Sequence, residues 1–298
     1  MHAKIRSWRA RDSDWPPELT QIPSPPEQLW SRGRHELLGH TPRVAIVGSR
    51  APTPYGQAQA RRFAHALAIQ GISVVSGMAR GVDHAAHLAA LDAGGRTIAV
   101  LGSGVDRPWP AGPLAERLQA EGLLLSEFEP GRAPRRHHFP LRNRIISGLS
   151  FAVIVVEAAH NSGSLITAHW ALDQGRAVFA LPGRVDHPMS RGCHRLIREG
   201  ARLLESPEEV LQELQEANLW SPGESPSEDR QGAQLHGAAQ PSHPILDALQ
   251  GETLGVDELC SLLRLPAQRV LAELTQLELA SAVVRAPGGL YRLAQSGA

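Results

Sequence analysis

RVAIVGSRAPTPYGQAQARRFAHALAIQGISVVSG, Arg43 to Gly77, contains one complete strand–helix–strand repeat. RVAIVG is a short apolar run closed by glycine, Tyr55 to Gln70 carries apolar residues at helical spacing, and ISVVSG is a second apolar run closed by glycine. Two strands joined through a helix lie parallel in one sheet, because the crossover returns the chain to the same end.

The same alternation continues outward. Gly81 to Ala93 is predicted as a second helix, and RTIAVLG, LLLSE, FAVIVVE and AVFALPG supply four more strands. Between the last two lies SGSLITAHWALDQG, a predicted helix with Ser162 and Ser164 at its start, placed to cap exposed N–H groups. The expected fold is therefore α/β: an extended Rossmann-like, doubly wound, mostly parallel sheet over 41–215, with its ligand crevice beyond the carboxyl ends of the strands.

The flanks read differently. Residues 1–40 hold WPPELTQIPSPPEQLWSRG, expected to lie as a proline-rich strap across the sheet domain. Residues 216–242 are rich in Pro, Gly, Ser and acids without period, which predicts a flexible linker. Within 243–298, ILDALQ, VDELCSLLRL and PAQRVLAELTQLELA are three helical patterns, with Pro266 expected in the first turn of the third. AVVRAPGGLYRLA follows as a hairpin around Pro-Gly-Gly, so the C-terminal piece is expected to be a small winged-helix domain. Its third helix offers Arg269 against Glu273 and Glu278, a poor composition for gripping duplex phosphates.

The formal net charge of the 298 residues is zero, but it is unevenly spread. Residues 41–215 hold 19 basic and 15 acidic side chains, a net of +4, whereas 243–298 hold 4 and 6, a net of −2. A polyanion site belongs in the central block. No eighteen-residue apolar run occurs and the N-terminus lacks the apolar stretch of a signal peptide, so a cytoplasmic protein without a membrane partner is expected. Cys193 and Cys260 lie far apart and suggest neither a disulfide framework nor a metal site.

Unusual residues gather at the predicted strand ends. GSR (Gly48, Ser49, Arg50), SGMARGVD (with Ser76, Gly77, Arg80), GSGVDRPWP (with Gly102, Gly104) and SEFEPG follow the first four strands. Small residues there let a ligand approach the backbone, and helix N-termini favour anions. GRAPRRHHFPLRNRIISGLS, Gly131 to Ser150, adds Arg132, Arg135, Arg136, Arg142 and Arg144 around Phe139 without one acid. A cationic loop with a central ring suits single-stranded nucleic acid, by charge on phosphates and stacking on a base.

Other chemistries fit less well. The first turn lacks the G-x-G-x-x-G spacing and no acid closes the second strand, which speaks against NAD; no P-loop motif occurs, so no cofactor is expected. Asp83, Asp106, Glu127 and Glu157 fall near strand ends and leave open a nucleotide phosphoribohydrolase-like enzyme, although each is also explained as a loop acceptor or arginine partner. A winged-helix regulator of duplex DNA is the third reading.

GSR, SGMARGVDHAAH, LGSGVDRPWP, SEFEPG, FPLRNRIISGLS, VVEAAHNSGSLITAHWALDQGRAVFALPG and GCHRLIREGA follow in the order of the DNA-processing protein A family (DprA/Smf), and the chain resembles that family over about 41–205. The resemblance implies a non-enzymatic protein that binds and protects single-stranded DNA without sequence preference, forms a homodimer, and helps load the RecA recombinase during natural transformation. By position it implies that Arg50, Arg136, Phe139, Arg142 and Arg144 line the strand's path. Asn143 of the same block, together with Gly48, Ser49, Ser76, Gly77, Arg80, Gly102, Gly104, Ser162, Gly163 and Ser164 from the turns, completes the expected nucleic-acid-binding set. Family members commonly carry an N-terminal helical SAM-like domain, which is expected to be missing here, and Arg136 and His194 stand where lysine and asparagine are frequent.

Overall fold

The strand Arg43–Val47 is the axis of the sheet. The computed structural model describes residues 4–222, 243–249 and 253–294. In chain order the first unit holds β1 (Ile5–Arg9), β2 (Gln28–Gly33), β3 (Arg43–Val47), α1 (Pro54–Ile69), β4 (Ser73–Ser76), α2 (Val82–Asp92), β5 (Thr97–Val100) and α3 (Pro113–Glu121). It continues with β6 (Leu123–Ser126), α4 (His138–Gly148), β7 (Ala152–Val155), α5 (Ser164–Asp173), β8 (Ala177–Ala180), α6 (Arg191–Arg198), β9 (Arg202–Leu203) and α7 (Pro207–Glu216). The sheet order is β1-β2-β6-β5-β4-β3-β7-β8-β9, parallel from β6 to β9. From β3 the chain winds outward through β4, β5 and β6, then returns to the other side of β3 for β7, β8 and β9.

Period-two alternation divides the core. Ala45 and Val47 of β3 face the layer built from Ile145 and Ile146 of α4 and Leu165 and Ala168 of α5. Val44 and Ile46 face Phe63 and Leu67 of α1 and Ala86 of α2. Each large side chain taken fully from water contributes about 1.5–3 kcal/mol, so both faces stabilise the sheet on which the turns sit.

The N-terminal strap is replaced by something more structured. β1 and β2 pair antiparallel, Trp8 opposite Leu29, and β2 adds antiparallel to β6. Trp8 Nε1 donates to Ser31 Oγ at 2.6 Å across the pair. The prolines at 16, 17, 23, 25 and 26 all fall between the two strands, where no ladder N–H is needed. Trp15, Leu19 and Ile22 of that connection are buried in the layer that holds α4.

Two further expectations shift. The cationic segment is a loop only as far as His137; from His138 it is helix α4, whose Ile145, Ile146 and Leu149 supply a core face. Pro140 falls within its first turn, where backbone N–H groups have no helical partner. The linker does not begin at 216: Trp220 packs against the core and its Nε1 donates to Gln70 O at 3.1 Å. Residues 223–242 of the expected linker lie outside the described residues.

The second unit has α8 (Pro244–Ala248), α9 (Val256–Leu263), α10 (Ala267–Leu279) and the antiparallel pair β10 (Val283–Ala286) and β11 (Leu290–Leu293). Ile245, Leu249, Leu259, Val270, Leu274, Val283 and Tyr291 form its separate core. Three helices and a wing match the expected winged helix, with Pro266 as the N-cap of α10 rather than within its first turn. Gly288 and Gly289 turn the hairpin at φ of +84° and +74°, a conformation open to glycine. No helix among the described residues is long and apolar enough to cross a membrane.

Candidate nucleic-acid interface

Where the winding reverses, the carboxyl ends of β3 and β7 open a crevice of about 500 Å3. Gly48, Ser49 and Arg50 enter it from β3, Phe139, Arg142 and Asn143 from α4, and Ser162, Gly163 and Ser164 from the start of α5. A Cβ at Gly48 would lie 2.7 Å from Val82 Cγ2 and 2.9 Å from the Glu157 carbonyl oxygen, so only glycine lets the turn pass there. Ser49 N–H donates to Glu157 O at 2.7 Å and fastens the exit of β3 to that of β7.

The start of α5 borders this space. Its N-cap is Gly163, and its first amides are taken mainly by backbone, Leu165 N–H donating to Ser162 O at 3.1 Å and Ile166 N–H to Gly163 O at 3.2 Å, so the serine hydroxyls cap less than expected. Ser162 Oγ and Ser164 Oγ instead bond each other at 2.7 Å, and Ser164 N–H reaches Ser162 Oγ only at 3.4 Å. Asn143 Nδ2 donates to Gly163 O at 3.3 Å, which holds the α5 entry against α4.

Phe139 forms part of the wall. Its ring covers Gly102, where a Cβ would approach Cδ1 to 3.0 Å, and the Arg50 guanidinium lies 5.7 Å from the ring centroid. His138 turns inward, bonding Gly102 O through Nδ1 at 3.0 Å and stacking on Phe128 with centroids 4.0 Å apart. Arg50, Arg80, Arg135 and Arg136 are exposed and none forms an ion pair among the described residues. Arg135, which was not in the expected set, lines a separate hollow with Glu129, Gly131 and Arg132; Ile166, Thr167 and Met189 line the crevice, and no short motif marks them.

Two arginines depart from the expected role. Arg144 is 8% exposed and held by Glu127 through two bonds, Nη1 to Oε1 at 2.7 Å and Nη2 to Oε2 at 2.6 Å, with further bonds to Ser24 O and Leu141 O. It ties α4 to the turn after β6 and is not offered to a phosphate. Arg142 is 4% exposed and forms the crevice floor, its Nη1 donating to Gly77 O at 2.6 Å and also to Val100 O. Burial pulls its pKa down to about 10 against the attraction of nearby Asp83, and Arg50 lowers it further.

Several glycine-turn groups are likewise already committed. Gly77 N–H and Ala79 N–H donate to Asp83 Oδ2 at 3.1 and 3.3 Å, bracketing Met78 at φ +57°. A Cβ on Gly77 would overlap the Arg142 guanidinium. Ser76 Oγ donates to Ile46 O at 2.6 Å, and Gly104 N–H donates to Arg132 O at 2.9 Å. Gly77 and Gly102 thus back the crevice through Arg142 and Phe139, whereas the polar groups of Ser76 and Gly104 are taken by neighbouring backbone.

Three of the four candidate carboxylates have partners nearby. Asp83 is buried and its pKa is raised by that burial, opposed by Arg142 and the two amides; Asp106 accepts Gly131 N–H at 2.8 and 2.9 Å; Glu127 belongs to Arg144. No group of three or more His, Cys, Asp or Glu suited to a metal ion occurs among the described residues.

Comparison with known proteins matches both units. The family model for DNA recombination-mediator protein A matches residues 6–215 and that for the DprA winged helix domain matches 227–289. Protein Smf of Escherichia coli (strain K12) is 42% identical over 282 residues, covering 94% of this chain and 75% of that protein. DNA processing protein DprA of Bacillus subtilis is 42% identical over 203 residues, 67% of this chain and 68% of that protein. The X-ray structure of DprA from Streptococcus pneumoniae aligns with a TM-score of 0.68 at 44% identity, over 70% of this chain and 74% of that one. DNA processing protein A from Helicobacter pylori, described for its unique single-stranded DNA binding mode, aligns at 0.65 and 30% identity, over 72% and 98%. On this agreement of fold and sequence along most of its length, the chain belongs to the DNA recombination-mediator protein A family.

Proposed function

We propose that this protein binds single-stranded DNA without sequence preference, protects the strand, and helps load RecA during DNA uptake and recombination. It does so as a homodimer in the cytoplasm and breaks no bond in the strand. The observation that carries this reading is the Arg50 guanidinium, free of any acid among the described residues, beside the ring of Phe139 at a crevice on the sheet's switch point. Exposed guanidinium groups attract phosphates regardless of sequence, and an aromatic face accepts any base. The exposed guanidinium groups of Arg80 and Arg136 would add phosphate contacts outside the crevice, while Arg142 sets its floor. The relative from Helicobacter pylori, with its single-stranded DNA binding mode, supports the same assignment.

Fluorescence anisotropy with one labelled oligonucleotide, single-stranded and annealed, tests it. The single strand is expected to bind at least about tenfold tighter, a difference of about 1.4 kcal/mol, with little change when its sequence is scrambled. Equal affinity for duplex with a marked sequence preference would move the function to the winged helix. Release of free base from nucleoside monophosphates would instead establish the enzyme reading.

A further inference from the structure

The exposed cations do not stop at Arg50. Gly81, the N-cap of α2, packs on the turn that carries Arg50: a Cβ there would lie 2.7 Å from Pro52 Cδ and 2.8 Å from the Arg50 carbonyl carbon, and Val82 N–H donates to Ser49 O at 3.1 Å. Arg80 is thereby held beside that turn. Four residues on, His84 is exposed in the first turn of α2, and Arg61 is exposed on α1. The two helices share one layer, where Phe63 and Ala64 of α1 join Ala86 and Ala90 of α2. Partial burial lowers the His84 pKa and the charge of Arg61 lowers it further, as neighbouring cations do.

No acid interrupts this flank on either helix. α1 contains none. Of the two in α2, Asp83 is buried and accepts from the Gly77 and Ala79 amides, and Asp92 closes the far end, bound to Arg117. Elsewhere on the sheet unit Arg132, Arg195 and Arg202 each meet a glutamate, whereas Arg61 and Arg80 form no ion pair among the described residues. Cations gathered without counter-charges repel one another, and a polyanion laid across them relieves that repulsion. Arg62, next in sequence to Arg61, is engaged differently: its Nη1 donates to Gln59 Oε1 at 3.3 Å and its charge acts on Glu208 of α7.

We infer that a single strand leaving the crevice continues over Arg80 and His84 to Arg61, so that the flank of α1 and α2 holds its next phosphates. The inference rests on the strand-binding reading, but the flank is separate from the crevice, whose lining includes none of these three side chains.

Anisotropy of a labelled single strand of about twenty nucleotides, titrated with the full chain across a range of salt, tests the path. Arg61→Ala is expected to weaken binding roughly fourfold at about 0.15 M salt and to reduce the log–log slope by about 0.7, the share of one phosphate contact. Arg61→Lys, which keeps the charge, is expected to restore the slope. Arg62→Ala removes the same charge one position away and is expected to change affinity by less than about twofold, since it takes away no counter-ion release.

Binding and slope unchanged in Arg61→Ala would overturn the path, as would equal losses in Arg61→Ala and Arg62→Ala, which would reflect net charge rather than place. A loss confined to the annealed duplex would assign the flank to duplex DNA and overturn it too. If Arg50→Ala weakens the strand while Arg61→Ala does not, the path falls and the strand-binding reading stands. Failure of the unaltered chain to bind the strand removes both.

Discussion

Phe139 and Arg142 stand three positions apart on α4 and divide the labour of the crevice between wall and floor. The ring is half-buried against Gly102 and reachable from the crevice, so Phe139→Ala removes a stacking face without cutting into the sheet core. Its expected cost is about 1–3 kcal/mol of single-strand affinity, measured by oligonucleotide titration at fixed salt. His87 makes a prediction about stability instead. Thr97 Oγ1 donates its proton to Val74 O, so it accepts from His87 Nδ1–H at 2.7 Å, while Nε2 is buried with no acceptor for a second proton; burial pulls the His87 pKa down to about 3. Between pH 3 and the unfolded value near 6.5 the unfolded chain binds the extra proton. Stability from this group is therefore fully present above about pH 6.5 and lost as pH falls toward 3, by up to about 1.4 kcal/mol per pH unit. His87→Asn, which keeps a donor toward Thr97 and cannot titrate, is expected to flatten the fall of melting temperature between pH 7 and 5. An unchanged slope would show that other groups govern it.

At the scale of elements, α4 carries both the site and a fold-defining ion pair, and this explains what the sequence could and could not disclose. Short continuous apolar runs made β3 to β8 legible, because burial on both faces of a parallel sheet asks for RVAIVG or FAVIVVE. The helix in HFPLRNRIISG was not legible: three polar residues, Arg142, Asn143 and Arg144, are buried in mid-helix and conceal its apolar face. For the same reason Arg144 looked like a phosphate ligand, since its acid, Glu127, is 17 residues away and meets it only when α4 folds back on the turn after β6. The edge strands β1 and β2 were hidden by the prolines of their connection. Breaking the Arg144–Glu127 pair by Glu127→Ala leaves a mostly buried guanidinium uncompensated, with an expected loss of about 3 kcal/mol. For a unit of this size that is a fall in melting temperature of roughly 6–12 °C, readable by calorimetry. Little loss of stability would contradict the structural role assigned to Arg144.

For the molecule as a whole, doubly wound topology, central excess of positive charge and the glycine turns all converge on one end of the sheet. That convergence was readable because strand ends in such folds always meet at the switch point. Which turn groups remain open to a ligand was not readable, since the Gly77 amide is taken by Asp83 of its own turn and the Gly104 amide by the distant carbonyl of Arg132. The winged helix keeps its own core and a third helix whose Arg269 is engaged by Glu273 at 3.1 Å. Central to the account is that exposed arginines at the crevice contact strand phosphates. Single-strand affinity measured against salt tests this most directly: with about three phosphates neutralised per protomer, the log–log slope is expected near −2, falling in size by about 0.7 in Arg50→Ala. A slope near zero, or one that Arg50→Ala leaves unchanged, would contradict it.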